Sequence, residues 1–239
     1  MNMFKKVLIV IPCYNEEAAL PQLLNELISL KLPDHYALSI LAINDCSKDK
    51  TVEVARNYDI KILDLPNNLG IGGAVQSGLR YAKMNNFDIA IQLDGDGQHP
   101  PSEIIKLLNA NSEFKADIVI GSRFLNNEGF QSSSIRRMGI KYFYYLNQLL
   151  TGNNIYDSTS GFRLLSSNAI AIAAENYPDD YPEPESLVIF SKAGLKIKEV
   201  PVVMSHRLGG KSSIGNFSSI YYCIKVTMSM FFSFIRKPL

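Results

Sequence analysis

Short apolar runs rich in β-branched residues recur along the first half of the chain, at Val7–Ile11, Leu38–Ile43, Ile60–Leu63, Ile89–Leu93 and Ile118–Ile120. Runs of this length suit strands buried on both faces. Helical patterns lie between them, at Glu17–Leu30, Lys50–Tyr58, Gly73–Met84 and Ser102–Asn111. The alternation predicts an α/β fold, a single domain with a mostly parallel central sheet and helices on both faces, in which ligands bind beyond the carboxyl ends of the strands. The polar clusters of this half fall at those ends: Pro12-Cys13-Tyr14-Asn15-Glu16-Glu17, Asn44-Asp45-Cys46-Ser47, Asn67-Asn68-Leu69-Gly70, Asp94-Gly95-Asp96 and Gly121-Ser122-Arg123. That coincidence locates a site.

The second half has a different texture. Arg136-Arg137 opens a helical segment, Met138–Leu150, dense in Tyr and Phe, which suits either a phosphate head beside an apolar tail or an aromatic core helix with a solvated start. Asp157-Ser158-Thr159-Ser160-Gly161-Phe162-Arg163 follows, then the acidic Tyr181-Pro182-Glu183-Pro184-Glu185 ahead of a helical run through Gly194. Lys196–Val203 reads as a returning strand. Arg207 and Lys211 stand in a Gly/Ser-rich loop that suits a diphosphate clamp, or a plain solvated loop. From Phe217 to Ile235 the only charge is Lys225, and Ser218, Tyr222, Lys225, Ser229, Ser233 and Arg236 recur at helical spacing. We expect a catalytic domain over residues 1–213 and an amphipathic helix within 214–239 that lies on a membrane surface or against another subunit, giving a homo-oligomer.

The chemistry centres on Asp94-Gly95-Asp96-Gly97-Gln98-His99. Two carboxylates one residue apart at a strand end face one side, repel each other, and are relieved by a hard divalent cation such as Mg²⁺ or Mn²⁺. The Gln98 carboxamide offers a further oxygen, and an ion held by so few protein atoms keeps positions open for a diphosphate. A solvated turn is the plain alternative. An EF-hand is excluded, because His99 and Ile105 stand where its loop needs Gly and Glu. Asp45 either accepts from a ribose or base or caps a following helix. Gly70-Ile71-Gly72-Gly73 opens a helix and can approach phosphate, but Val75 breaks the dinucleotide fingerprint. No nucleophile-elbow, Walker A or HExxH pattern is present.

Composition adds limits. The 239 residues are 46% hydrophobic with a net charge of +1, which disfavours general nucleic-acid binding. Three cysteines, odd in number and without metal-type spacing, fit a reducing compartment. The apolar run after Lys5-Lys6 ends at Pro12 and reads as a first strand, not a signal peptide.

These motifs, in this order over about Lys5 to Ser213, resemble the inverting family-2 glycosyltransferases of the GT-A fold, especially the dolichol- or polyprenol-phosphate mannosyltransferase-like branch. The resemblance implies a nucleotide-sugar donor, a UDP- or GDP-hexose, whose base and ribose meet Pro12, Tyr14, Glu16 and Asp45, with Gly70 nearby. It implies that Asp94, Asp96 and Gln98 manage metal and diphosphate, and that Arg123, Arg136, Arg137 and Arg207 attend phosphate groups. The implied acceptor is a polyprenyl phosphate at the cytoplasmic face of a membrane. A glycan hydroxyl is the alternative, and it needs a carboxylate base: Asp157, Glu183 or Glu185, with Glu185 favoured because it opens a helix. A non-catalytic sugar-nucleotide-binding subunit is a third reading. Two departures stand out: relatives often read Asp-Asp-Gly-Ser where this chain has Asn44-Asp45-Cys46-Ser47, and many carry transmembrane helices after the catalytic domain.

Overall fold

The computed structural model describes residues 4–125, 134–205 and 218–236, excluding the side chains of 134–138 and 218–220. Seven strands form one sheet: β1 (Lys5–Cys13), β2 (Tyr36–Asn44), β3 (Lys61–Asp64), β4 (Ile89–Gln92), β5 (Ile118–Ser122), β6 (Arg163–Ser166) and β7 (Ile197–Pro201), in the order β3-β2-β1-β4-β6-β5-β7. β1 pairs in parallel with β2 and β4, and β5 in parallel with β7. β6 runs antiparallel between β4 and β5.

The alternation of β1 side chains builds two cores. Val7, Ile9 and Ile11 meet α1 (Leu20–Ser29), Ala55 of α2 (Thr51–Arg56) and α4 (Ile104–Phe114). Leu8 and Val10 meet α3 (Gly70–Met84), α6 (Ser167–Asn176) and α7 (Pro182–Lys192) on the other face. α1 earns its place by burying Leu20, Leu23, Leu24 and Leu27, an i, i+3, i+4, i+7 stripe. A third, smaller cluster joins Phe143 of α5 (Ser134–Thr151), Val188 of α7, and Val226 and Met230 of α8 (Ser218–Ile235).

Three elements differ from the sequence reading. β6 is only four residues, and it opens on a charged residue, Arg163, which hides the apolar Leu164-Leu165 behind a motif that reads as a loop. α6 follows without a break, its first turn capped by Ser166, whose hydroxyl accepts from the Ala169 amide. The acidic segment lies within α7 instead of ahead of it, since Pro182 is tolerated in a first helical turn.

Two positions on this framework test it with opposite signs. A Cβ on Gly78 of α3 would stand 2.5 Å from Val10 Cγ1 and 2.6 Å from Ile43 Cδ1. Overpacking costs about 1–3 kcal/mol, against the roughly 1 kcal/mol Ala gains over Gly in a helix, so Gly78→Ala should lower the urea midpoint. Cys46, in the position relatives give to Gly, has a φ of 60°. Left-handed backbone costs a side-chain-bearing residue about 1–2 kcal/mol, while Gly gives back about half of that as unfolded-state entropy, so Cys46→Gly should raise the same midpoint modestly.

Candidate active site

Asp94 and Asp96 stand just past the carboxyl end of β4, at the middle of the sheet. The strand stops at Gln92, and residues 95 and 96 form a turn completed by Gly97 at φ 74°. Asp96 is buried, and its Oδ1 accepts the Gln98 amide at 3.0 Å. The Gln98 carbonyl in turn accepts the Ser205 amide. His99 is also buried: its Nδ1 accepts the Asp94 amide at 3.2 Å, its Nε2 lies 3.8 Å from Asp94 Oδ2, and its ring stacks on Phe162. It holds the turn in place. Asp94 presents its carboxylate more openly, about a third exposed. Gln92 Nε2 reaches Asp94 Oδ1 at 3.5 Å, and Tyr177 donates to Gln92 Oε1 from behind. Gly161 makes room in front, because a Cβ there would sit 3.1 Å from both Asp94 oxygens.

The loops after β1 and β2 close one side of this turn. The Asn15 amide donates to Ser47 Oγ, the Lys48 amide to Asn15 Oδ1, and the Glu16 amide to Thr51 Oγ1. Gly95 abuts this pair of loops, with Pro12 O, Cys13 Sγ and Glu16 Cγ all within 3.4 Å of where its Cβ would be. Pro12, Glu16 and the carboxylate turn are thereby brought together, and Tyr14 stands exposed at the rim. Burial pushes the Cys13 thiol up, with Glu16 adding to the effect. Asp45 is buried, and its Oδ1 accepts the Leu69 amide at 2.6 Å, so one oxygen caps α3. Asn44 donates to Asp64 Oδ1 at 2.7 Å and accepts the Ser47 amide. An aspartate at 44 would repel Asp64. Gly70, at the first position of α3, keeps a φ of 74° and donates its amide to Asn68 Oδ1, while Gly72 packs onto the backbone of Pro178 and Asp179 and donates its amide to Asp179.

The other side is built on two arginines. Arg123 follows β5 and binds Asp157 through its amide, Nε and Nη2, at 3.0, 2.7 and 2.6 Å. Asp157 has no exposed surface. Both its oxygens are engaged by Arg123, which sets the site apart from that of a free base. Burial works against the Arg123 charge, but Asp157 outweighs it and holds the guanidinium above its ordinary value, with Asp94 and Glu183 contributing. Arg163 is buried as well and binds the carbonyls of Ser158, Ser160 and Glu183 and the Ser186 hydroxyl.

The two α7 carboxylates part company. Burial pushes the Glu183 carboxyl above the usual range, Arg163 opposing and Asp94 reinforcing. Glu185 lies on the other side of the helix, where its Oε1 accepts from Ser233 of α8 at 2.6 Å. Glu183 is within electrostatic reach of Asp94 and Arg123, while Glu185 is bonded to α8. Arg136 and Arg137 lie in the first turn of α5, their side chains outside the described residues, as are Arg207 and Lys211 altogether. The sequence reading gave no role to Gln92, Arg163, Tyr177 or Glu199. A polar residue inside an apolar run was the available signal for the first two.

α8 docks through the buried Val226 and Met230, with polar contacts around them. Ser233 meets Glu185, Lys225 meets Asp180, and Tyr222 packs on Phe143 and Tyr181. Lys192 of α7 donates to the carbonyls of Ser233, Phe234 and Arg236 at the helix end. The outer face carries Tyr221, Ile224, Met228, Phe231, Phe232 and Ile235, roughly half exposed, beside Tyr145 and Leu149 of α5. Among the described residues no helix is long and apolar enough to cross a membrane.

Known proteins match this arrangement. A UDP-N-acetylglucosamine–dolichyl-phosphate N-acetylglucosaminyltransferase of Methanococcus voltae is 30% identical over 218 residues, covering 83% of this chain and 85% of its own length. An undecaprenyl-phosphate mannosyltransferase of Micrococcus luteus is 28% identical over 221 residues, covering 87% of each. The glucosyl-3-phosphoglycerate synthase of Mycobacterium tuberculosis, solved with Mn²⁺ and UDP, shares the fold at a TM-score of 0.70 and 16% identity, over 96% of this chain and 80% of that one. The family described as glycosyl transferase family 2 matches residues 8–171, from β1 into α6 and so across the carboxylate turn and both arginines, and the chain belongs to it.

Proposed function

We propose that the protein transfers a hexose, with inversion, from a UDP- or GDP-sugar to a polyprenyl phosphate at the cytoplasmic surface of a membrane. The observation that carries this reading is the strand-end carboxylate turn within electrostatic reach of the Arg123 clamp, in a chain whose last described helix turns an apolar face outward. The names of the two relatives, a dolichyl-phosphate and an undecaprenyl-phosphate sugar transferase, support the same acceptor class.

Pro12, Tyr14, Glu16, Asp45 and Gly70 frame the nucleotide in this reading. Asp94 and Asp96, with Gln98, face the diphosphate. The donor set fits a divalent ion: Asp94 is partly open and receives only long contacts from described residues, and Mg²⁺ or Mn²⁺ needs one or two carboxylates plus substrate oxygens. No group of three or more metal-binding side chains occurs among the described residues, in keeping with an ion shared with substrate. When bound, the ion neutralises charge growing on the leaving diphosphate. Arg123, held flat by Asp157, presents the rest of its guanidinium to a phosphate, with Arg136, Arg137, Arg207 and Lys211 as further cations. A polyprenyl phosphate is already an anion and needs no base. A glycan hydroxyl would need one, and the raised carboxyl of Glu183 favours that second reading.

Two measurements separate the possibilities. Asp94→Asn should cut kcat by at least about a hundredfold, the scale on which removing one preorganised electrostatic contact acts, and chelation of divalent ions should do the same to the wild type. Glu183→Gln, assayed on farnesyl phosphate and on sugar acceptors, should lose little; a collapse of kcat with sugar as the only working acceptor establishes the hydroxyl reading.

The surface role of α8 is tested separately. Phe231→Ser with Phe232→Ser removes exposed apolar area without touching the buried Val226 and Met230. Flotation with liposomes containing anionic lipid should fall sharply while the thermal midpoint stays put, and unchanged flotation removes α8 as the anchor.

A further inference from the structure

We infer that Glu199 is a positioning residue for Arg123, acting through the two backbone amides that it holds and the Asp157 carboxylate that follows them. This rests on the phosphate-binding role proposed for Arg123.

Glu199 lies in the edge strand β7, in register with Ile120 of β5, three residues before Arg123. Its Oε2 accepts the Tyr156 amide and its Oε1 the Asp157 amide, both at 2.7 Å. One carboxylate therefore spans two successive peptide groups of a segment, residues 152–162, that has no helix or strand of its own. The next link is Asp157, whose two oxygens take three hydrogen bonds from Arg123 and a fourth from Thr159. Thr159 also accepts from Arg123 Nη2. The guanidinium plane is fixed by Asp157, Asp157 by the 156–157 backbone, and that backbone by Glu199.

Stability alone does not explain a carboxylate here. Burial pushes the Glu199 carboxyl up, and the nearby Asp157 charge adds to that, against the two amides and the Ser122 hydroxyl. Two acidic groups in one partly dry pocket repel unless each is saturated by donors. The arrangement gains directional precision: charge-assisted hydrogen bonds to backbone are short and geometrically strict. Because β5 and β7 are parallel neighbours in one sheet, the carboxylate and the root of Arg123 share a rigid base.

A double-mutant cycle tests it on the full chain, with farnesyl phosphate as acceptor and whichever of UDP-glucose, UDP-N-acetylglucosamine and GDP-mannose is turned over. Arg123→Lys, which loses the planar fork, should raise the acceptor KM by at least about thirtyfold. Glu199→Gln turns an NH₂ toward a backbone amide and should raise KM by about tenfold, or about 1.4 kcal/mol, with kcat nearly unchanged. The double variant should be no worse than Arg123→Lys, since linked residues are non-additive. Glu199→Asp, which keeps the charge with shorter reach, should fall between wild type and Gln and covers the case in which Gln disturbs folding. Effects that multiply in the double variant, or Glu199 variants that lower the thermal midpoint while leaving KM alone, overturn the inference. An Arg123→Lys variant with unaltered KM instead overturns the role of Arg123 itself, and the positioning role with it.

Discussion

Arg163 brings a full charge into the interior at 1% exposure, and the geometry of the acceptor side depends on how that charge is satisfied. A buried cation is tolerable only when its donors are used. Here they go to the carbonyls of Ser158 and Ser160 in one loop, and to Glu183 and Ser186 in the first turn of α7. Just before the short strand that Arg163 opens, Gly161 is set against Asp94 and Phe162 against His99. Loop, helix and carboxylate turn are referenced to a single antiparallel strand of four residues, inserted where a purely parallel sheet would have no chain.

The tail follows a different logic. A surface helix of a globular protein usually buries its apolar stripe and shows its polar one. In α8 the small apolar contact with Val188 and Phe143 is framed by polar bonds to Glu185, Asp180 and Lys192, and the large aromatics point away. Exposed apolar area costs about 25 cal/mol per Å² relative to burial, so a second, outward apolar face favours an apolar partner. The proposed bilayer supplies one without any span.

Much of this was legible in the chain. Strands buried on both faces announce themselves as apolar runs, and five of the seven were placed from that signal alone, at β1 to β5, with β7 read as the returning strand. β6 was not, because its function is to carry a buried arginine, which contradicts the pattern that identifies strands. The strand-end clusters come together in the structure, since the sheet topology dictates where loops converge. What each polar residue does was less legible. Asp45 caps α3, far along the chain, and Asn44 is fixed by Asp64, a partner brought in by the β2–β3 pairing.

The α7 carboxylates show why spacing alone decides so little. At a strand end, residues i and i+2 share a side, which is why Asp94 and Asp96 read as a pair. In a helix the same spacing turns through about 200°, so Glu183 and Glu185 must face apart. Which of them faces the arginines follows the helix phase, and the helix begins just after Tyr181, a non-glycine residue held at φ 50° with its ring edge-on to Tyr222 of α8. A left-handed tyrosine is costly and persists only where packing enforces it. The start of the helix that carries both carboxylates thus touches the last described helix through a partner more than forty positions away, beyond the reach of any local pattern.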